Sequence, residues 1–177
     1  HKDPSVFAAA SEEDAASIID LIAVKRGYPT AKFDGVRAYG QAAEEELVFL
    51  EPPIEYLEKV GRRVLWRCLK VREGRRCGAK YWQEHFEAAV LETFKGEVKH
   101  NPKSPSQYHL GQLGVTFDLH VDDGYATGPQ ENLVKVFQAL EGPLELKISP
   151  LVFPGQKIEH VGAIRYRTVE GIWIEPF

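Results

Sequence analysis

The chain of 177 residues contains only two cysteines, no methionine and no long uninterrupted apolar run. Two cysteines are too few to build a disulfide scaffold, and they lie nine residues apart in a basic segment. That pattern favours a reducing compartment, and we expect an intracellular protein of the cytoplasm or the nucleus. No segment approaches the roughly eighteen consecutive apolar residues of a transmembrane helix, so we expect no membrane partner.

Several catalytic sequence motifs are also missing. The chain has no Gly-x-Ser-x-Gly elbow, no phosphate-binding glycine loop, no dinucleotide fingerprint and no His-Glu-x-x-His metal motif. Each of these motifs positions a nucleophile, a phosphate or a metal ion for a particular reaction. The sequence therefore gives no support to an ordinary nucleophilic enzyme, and we expect a protein without catalytic activity.

Composition and length indicate a folded protein. Apolar residues make up 44% of the chain and charged residues 27%, which excludes wholesale disorder. A chain of this length holds one well-buried domain or two small ones. Residues 101–106 have the proline and serine content of a linker. We therefore predict two domains, residues 1–104 and residues 105–177.

The first element is a predicted helix over residues 11–26. Ser11 can cap free amide groups, and the acids that follow it suit the positive end of the helix dipole. The apolar residues at helical spacing are Ala15, Ile18, Ile19 and Ile22. Gly27 then closes the pattern.

Two further patterns precede residue 105. Residues 64–71 alternate in the manner of a strand. Residues 81–94 follow a helical pattern, although their aromatic and β-branched content leaves strands open as an alternative. The apolar face of that helix would consist of Trp82, Phe86, Ala89 and Val90.

The patterns after residue 105 are clearer. Residues 115–121 have the period of a strand with one buried face, and residues 129–140 predict a helix with proline at its start. The apolar face of this helix comprises Leu133, Val136, Phe137 and Leu140. Further strands are predicted over residues 144–153, 158–169 and 172–175. The fold class is α+β: an N-terminal helix, a small antiparallel sheet module and a C-terminal strand-helix-strand-strand-strand unit.

The stretch over residues 61–80 is the most unusual part of the sequence. Its eight basic residues and one acid give a net charge of +7, while the remainder of the chain is at −11. Nucleic acid is a natural partner, because each phosphate neutralised by arginine or lysine releases condensed counterions. We therefore predict a nucleic-acid-binding module. The residues expected to contact phosphates are Arg62, Arg63, Arg67, Arg72, Arg75 and Arg76.

Other residues in and near this stretch leave two interpretations open. Trp66 and Trp82 either pack inside the module or offer a face for base stacking. Cys68 and Cys77 are soft zinc ligands once deprotonated, but small core residues are the alternative. Histidines that could join a metal site follow at positions 85, 100 and 109.

The succession of motifs in this half resembles a FLYWCH-type zinc finger, a relative of the WRKY fold. The motifs are Gly27-Tyr28, Asp34-Gly35, Trp66-x-Cys68, Cys77 with alanine and a basic residue after it, and His100-Asn101-Pro102. The resemblance covers roughly residues 25–102. It implies a small antiparallel sheet that binds nucleic acid or protein and holds zinc through Cys68, Cys77 and His100. A closed structural site needs four protein ligands, and the fourth would come from His85 or His109.

Two other functions stay open. Asp123, followed on a later strand by Glu145-Leu146-Lys147, is similar to the acid, acid-x-lysine pattern of restriction-type nucleases. There the carboxylates would hold Mg²⁺ and the lysine would stabilise charge at the phosphate. The acidic balance outside residues 61–80 would repel nucleic acid, which favours a protein–protein interaction module instead. Beside the nucleic-acid-binding module, we expect the domain after residue 105 to mediate assembly.

Overall fold

The computed structural model describes residues 13–101 and 104–177. These residues have the predicted α+β class, with 31% in helices and 32% in strands. The N-terminal helix is confirmed as α1, Glu13–Arg26, and its expected cap Ser11 lies outside the described residues. The residues of α1 that face the core are Ala15, Ala16, Ile19 and Ala23. Gly27 ends the helix with a φ of 68°, which a residue without a Cβ adopts readily.

Four further helices and eleven strands follow α1 in the described residues. In chain order they are β1 (Thr30–Gly35), α2 (Ala38–Gln41), β2 (Phe49–Leu50), α3 (Ile54–Val60), β3 (Trp66–Arg67), α4 (Gly78–Phe94), β4 (Val98–Asn101), β5 (Ser104–Leu110), β6 (Val115–His120), β7 (Asp123–Thr127), α5 (Gln130–Leu140), β8 (Leu146–Ile148), β9 (Lys157–His160), β10 (Ala163–Arg167) and β11 (Ile172–Pro176). None of these helices combines the length and the apolarity that are needed to cross a membrane.

The largest sheet has six antiparallel strands in the order β4-β5-β6-β7-β1-β8. β1 lies between strands that come much later in the chain, since it pairs with β7 on one side and β8 on the other. Residues 101–106 hold the end of β4 and the start of β5, which pair with each other. Main-chain hydrogen bonds therefore join strands from both sides of residue 105.

Helices α4 and α5 cover one face of this sheet and form the main core. The face predicted to be apolar is the buried one in both helices. Phe33 and Phe117 of the sheet meet Phe86 of α4, with ring centroids 5.8 to 6.1 Å apart. Trp82 is fully buried and donates its indole N–H to the Val121 carbonyl at 2.9 Å, so this tryptophan packs the core.

Helix α1 and a three-stranded sheet, ordered β11-β10-β9, lie on the opposite face of the six-stranded sheet. The sequence predicted one strand over residues 158–169, and the structure has the hairpin of β9 and β10 there. Val161 and Gly162 turn the chain with φ values of 41° and 69°. Apolar periodicity gives no signal for a turn with two successive residues of positive φ, although glycine at the second position favours such a turn.

Residues 42–77 connect α2 to α4 outside the six-stranded sheet, and we call them the arm. Within the arm, β2 and β3 pair as an antiparallel ribbon, and α3 lies in the connection between them. At the base, the Val71 N–H donates to the Ala42 carbonyl at 3.1 Å. The same two residues pack with Cys77 and Tyr81 in a small apolar cluster. The arm is thus closed at its base by its own main-chain hydrogen bonds, and its small core extends into α4 through Tyr81.

Candidate interaction surface

The two faces of the ribbon differ in what covers them. Leu50 pairs with Trp66, and successive strand residues point to opposite faces, so these two side chains share one face. Tyr56 of α3 packs edge-on against Trp66, with ring centroids 5.1 Å apart. Helix α3 thus contacts the Trp66 face through Tyr56, and both rings stay partly exposed.

The other face of the ribbon carries Phe49 and Arg67, which pair with each other, and exposed apolar residues flank the two strands in the chain. Leu47, Phe49, Leu65 and Leu69 are 70%, 52%, 52% and 71% exposed. We call these four side chains and Arg67 the ribbon face. Grouped apolar exposure of this kind marks interaction sites more often than a single exposed leucine does.

The predicted phosphate contacts fall into two groups. Two arginines are engaged by acids: Arg63 lies 2.9 Å from Glu51, and Arg75 lies 2.7 Å from Glu46 and 3.3 Å from Glu44. The hydrogen bond to Glu46 is the largest of the contacts that raise the pKa of Arg75. The remaining arginines are exposed and form no ion pair within the described residues; they are Arg62, Arg67, Arg72 and Arg76.

Folding also brings acids close to the basic stretch. The arm as a whole holds eight basic residues and seven acids, so its net charge is only +1. Most of these acids lie between the start of the arm and the end of α3, which is outside residues 61–80. The free arginines therefore form a local basic patch on an arm that is close to neutral.

The predicted zinc ligands lie in three different environments. Cys68 is half-buried beside β3, and Cys77 is buried immediately before α4. His100 lies on β4, where its Nε2 is 3.4 Å from Glu87 and its ring is 4.8 Å from that of Tyr108. Among residues 13–101 and 104–177, no three histidine, cysteine or carboxylate side chains are placed to hold a metal ion.

The two candidates for a fourth zinc ligand also have neighbours of their own. His109 lies 2.9 Å from the Thr116 hydroxyl on β6. His85 lines an open cavity of about 340 Å³ together with Lys70 and Glu145. Burial first, and the charge of Lys70 second, lower the pKa of His85, so the neutral imidazole is favoured.

Of the nuclease-like residues, Asp123 lies on β7, Lys147 lies on β8 and Glu145 immediately precedes β8. Asp34 on β1 pairs with Asp123 on β7 and with Lys147 on β8, so β1 separates the two predicted residues. At a strand spacing of about 4.8 Å, their main chains are about 10 Å apart. Glu145 is exposed, and its main-chain N–H donates to the Gln41 side chain at 2.8 Å.

Asp34 is a polar residue that the sequence patterns did not single out as part of a site. It lines an open cavity of about 470 Å³ together with Tyr39 and Asp122. Burial, followed by repulsion from Asp122 and Asp123, raises the pKa of Asp34. Only the strand register places Asp34 beside Asp123, so no local sequence pattern could have found this neighbourhood.

A buried charged network joins α1 to the three-stranded sheet. The Tyr125 hydroxyl donates to Asp20 at 2.7 Å, and Arg165 lies 3.2 Å from the other Asp20 oxygen. Burial is the main cause that raises the pKa of Asp20, against the lowering effect of these partners. Arg167 donates to the Ala23 carbonyl at 2.6 Å, in the last turn of α1. A cation suits that helix end, so the network holds α1 in place.

A second apolar surface lies between α1 and β11. A shallow groove of about 300 Å³ is lined by Leu21, Val24, Ile172 and Ile174, with Glu170 at its rim. Leu21 is 66% exposed and Ile174 is 44% exposed. We call this surface the α1–β11 groove.

No protein-family model matches the chain, and no curated protein shows significant sequence similarity to it. The resemblance to FLYWCH-type zinc fingers and the zinc ligands that it implies therefore stay predictions.

Proposed function

We propose that this protein is an interaction module whose ribbon face docks an apolar, acidic segment of a protein partner. One observation carries the proposal. Four apolar side chains in and beside the ribbon are more than half exposed, and Arg67 lies among them in the chain. A ribbon that needed only to be stable would bury or replace those side chains.

The composition of the ribbon face suits protein recognition. Fully burying a leucine or phenylalanine side chain contributes about 1.5 to 3 kcal/mol, so four half-exposed ones contribute roughly 4 to 6 kcal/mol. Aromatic residues and arginine are also the types that carry most of the binding energy at protein interfaces. By themselves these contributions support a weak, transient complex, with a dissociation constant between about 1 mM and a few tens of micromolar.

Charge decides the chemistry of the partner. Arg67 lies within the ribbon face, and Arg62, Arg72 and Arg76 lie elsewhere on the arm without acid partners among the described residues. A partner with carboxylates beside its apolar residues would pair with these arginines. Two ribbon faces stacked on each other about a two-fold axis would instead bring both copies of Arg67 together, and like charges disfavour that arrangement.

The test is a selection from a phage-displayed library of random peptides on the immobilised protein. The ribbon variant Phe49→Ser/Leu65→Ser serves for counter-selection, because both positions are exposed and their polar replacement leaves the core intact. A matched control, Leu91→Ser/Val134→Ser, removes apolar side chains of similar exposure from α4 and α5. We expect enriched peptides to combine acids with large apolar residues and to bind the control as they bind the unmodified protein.

The proposal fails if the ribbon variant enriches the same peptides as the unmodified protein. It also fails if the enriched peptides carry no excess of acidic residues. Either result would show that the ribbon face and its arginine do not select the partner.

A second candidate function, nucleic-acid binding, is favoured by the four arginines that have no acid partner in the described residues. If these four arginines neutralise four phosphates, log K falls with log salt at a slope of about −3.6. Trp66 would add a stacking edge, since its indole is partly exposed beside Tyr56.

Salt titrations with fluorescein-labelled single-stranded and duplex DNA test this candidate. Arg72→Ala/Arg76→Ala should flatten the slope by about two units. Arg75→Ala should change the slope little, because Glu44 and Glu46 already neutralise that guanidinium. Equal slopes for the double variant and the unmodified protein would eliminate a role for these arginines in phosphate binding.

A further inference from the structure

We infer that the ribbon face of one copy of this chain docks in the α1–β11 groove of a second copy, which gives a head-to-tail assembly. The inference rests on the proposed function, because it takes the ribbon face to be a docking surface. It adds the identity of one partner: the chain itself.

The α1–β11 groove has the chemistry that the ribbon face requires. Its apolar lining is exposed, and Glu170, an exposed acid that precedes β11, also lines it. Asp20 lines the groove too, but Arg165 offsets its charge. An apolar surface with one exposed acid thus exists on the same molecule as an apolar surface that contains arginine.

Both surfaces also present unpaired strand edges. β11 is the outermost strand of its sheet, and the two-stranded ribbon has one free edge along β2 and another along β3. A free edge offers N–H and C=O groups to a further strand. The first three residues of β11 are apolar, ahead of Glu175 and Pro176, and Trp173 among them is 71% exposed. Main-chain pairing between β3 and β11 could therefore add to side-chain contact.

One chain does not satisfy both surfaces by itself. Leu65 on the ribbon face and Leu21 in the groove are exposed in the same folded chain, so the two surfaces do not cover each other. Contact between them requires a second molecule. Because the surfaces differ, the interface is heterologous, and repeated contacts would extend into a ring or an open chain.

Mixing two deficient variants tests this inference. The ribbon variant Phe49→Ser/Leu65→Ser loses one surface, and the groove variant Leu21→Ser/Ile174→Ser loses the other. In sedimentation velocity from micromolar to millimolar concentration, we expect the unmodified protein to associate and each variant alone to stay monomeric. An equimolar mixture of the two variants should form a dimer and nothing larger, since each partner keeps only one intact surface. Leu91→Ser/Val134→Ser should associate like the unmodified protein.

Charge exchange gives an independent readout on the same contact. Arg67→Glu should weaken association, and Glu170→Arg in a second chain should restore it in the mixture if those charges face each other. Circular dichroism confirms that each variant is folded before the comparison.

The inference is overturned if the unmodified protein is monomeric at millimolar concentration, or if the mixture of variants stays monomeric. In either case, intact peptide binding by the groove variant would leave the proposed function standing. If the ribbon variant binds the selected peptides as well as the unmodified protein does, the proposed function fails as well.

Discussion

Asp20 and Arg165 form an ion pair in which both residues are more than nine-tenths buried. Asp20→Ala would leave Arg165 charged and unpaired inside the protein, and removing one partner of a buried pair costs about 3 to 5 kcal/mol. We therefore expect a large loss in the free energy of unfolding in urea. Glu51→Ala, which breaks the exposed pair with Arg63, should stay within measurement error. Similar effects of the two substitutions would contradict this assignment.

His160 should make stability depend on pH. Its ring stacks on Tyr125 at 4.8 Å, and burial, followed by the charge of Arg165, lowers the pKa of His160 to about 3. Above the unfolded pKa of about 6.5 the histidine is neutral in both states. Below it the unfolded chain gains a proton that the folded chain does not, so stability falls by about 1.4 kcal/mol per pH unit.

Denaturation of the unmodified protein and of His160→Gln between pH 7 and pH 5 measures this effect. We expect the unmodified protein to lose about 2 kcal/mol more than the variant over that interval. The comparison uses the difference in slope, so any packing loss in the variant cancels. Parallel profiles would show that His160 takes up its proton in the folded state too.

Gly124 permits the close approach of β7 to an aromatic ring of the core. It pairs with Phe33, and a Cβ at position 124 would overlap that ring. Gly124→Ala should destabilise the protein by about 1 to 3 kcal/mol through overpacking. Gly111→Ala is the matched control, because a Cβ there meets no atom within 4 Å. Equal thermal midpoints for the two variants would mean that the β7 backbone shifts at little cost.

At the scale of elements, the sequence could predict the helices better than the strands. The faces of α4 and α5 were predicted correctly because large apolar side chains recur at helical spacing over three or more turns. β7 was not recognised, because its sequence Asp-Gly-Tyr-Ala-Thr is short, contains glycine and has little apolar alternation. Its place in the sheet follows from pairing with β1 and β6, which is a long-range effect.

The arm should behave as a separable element. Its ends meet at Ala42 and Val71, so a short linker can replace the residues between them without moving the rest of the chain. We expect a variant with residues 45–68 replaced by a glycine-serine linker to fold. Amide hydrogen exchange should show β1, β6 and β7 protected as in the unmodified protein. Loss of protection across those strands would show that the arm is needed for the six-stranded sheet.

At the scale of the whole molecule, the sequence located the candidate surface but not its chemistry. The charge of residues 61–80 singled out this part of the chain. In the structure, the basic stretch lies in the arm and continues into the first turn of α4. The pairing of Arg75 with Glu44 and Glu46 depends on the fold of the arm, so the stretch predicted more free charge than exists. The exposure of the apolar side chains in and beside the ribbon also depends on the fold of the arm.

The α1–β11 groove was beyond sequence reasoning for a similar reason. Leu21 continues the apolar pattern of α1, yet it is exposed beside Ile174. Two elements at opposite ends of the chain form this groove, and only tertiary packing brings them together. The expectation that the second half mediates assembly stays a prediction, to which the groove gives a concrete surface.

The most direct measurement of the central claim is calorimetric titration of one selected acidic, apolar peptide into three proteins. These are the unmodified protein, the ribbon variant Phe49→Ser/Leu65→Ser and the control Leu91→Ser/Val134→Ser. We predict that the ribbon variant binds at least about tenfold more weakly, a loss of about 1.4 kcal/mol or more, and that the control is unchanged. Equal affinity for the ribbon variant and the unmodified protein would contradict a docking role for the ribbon face.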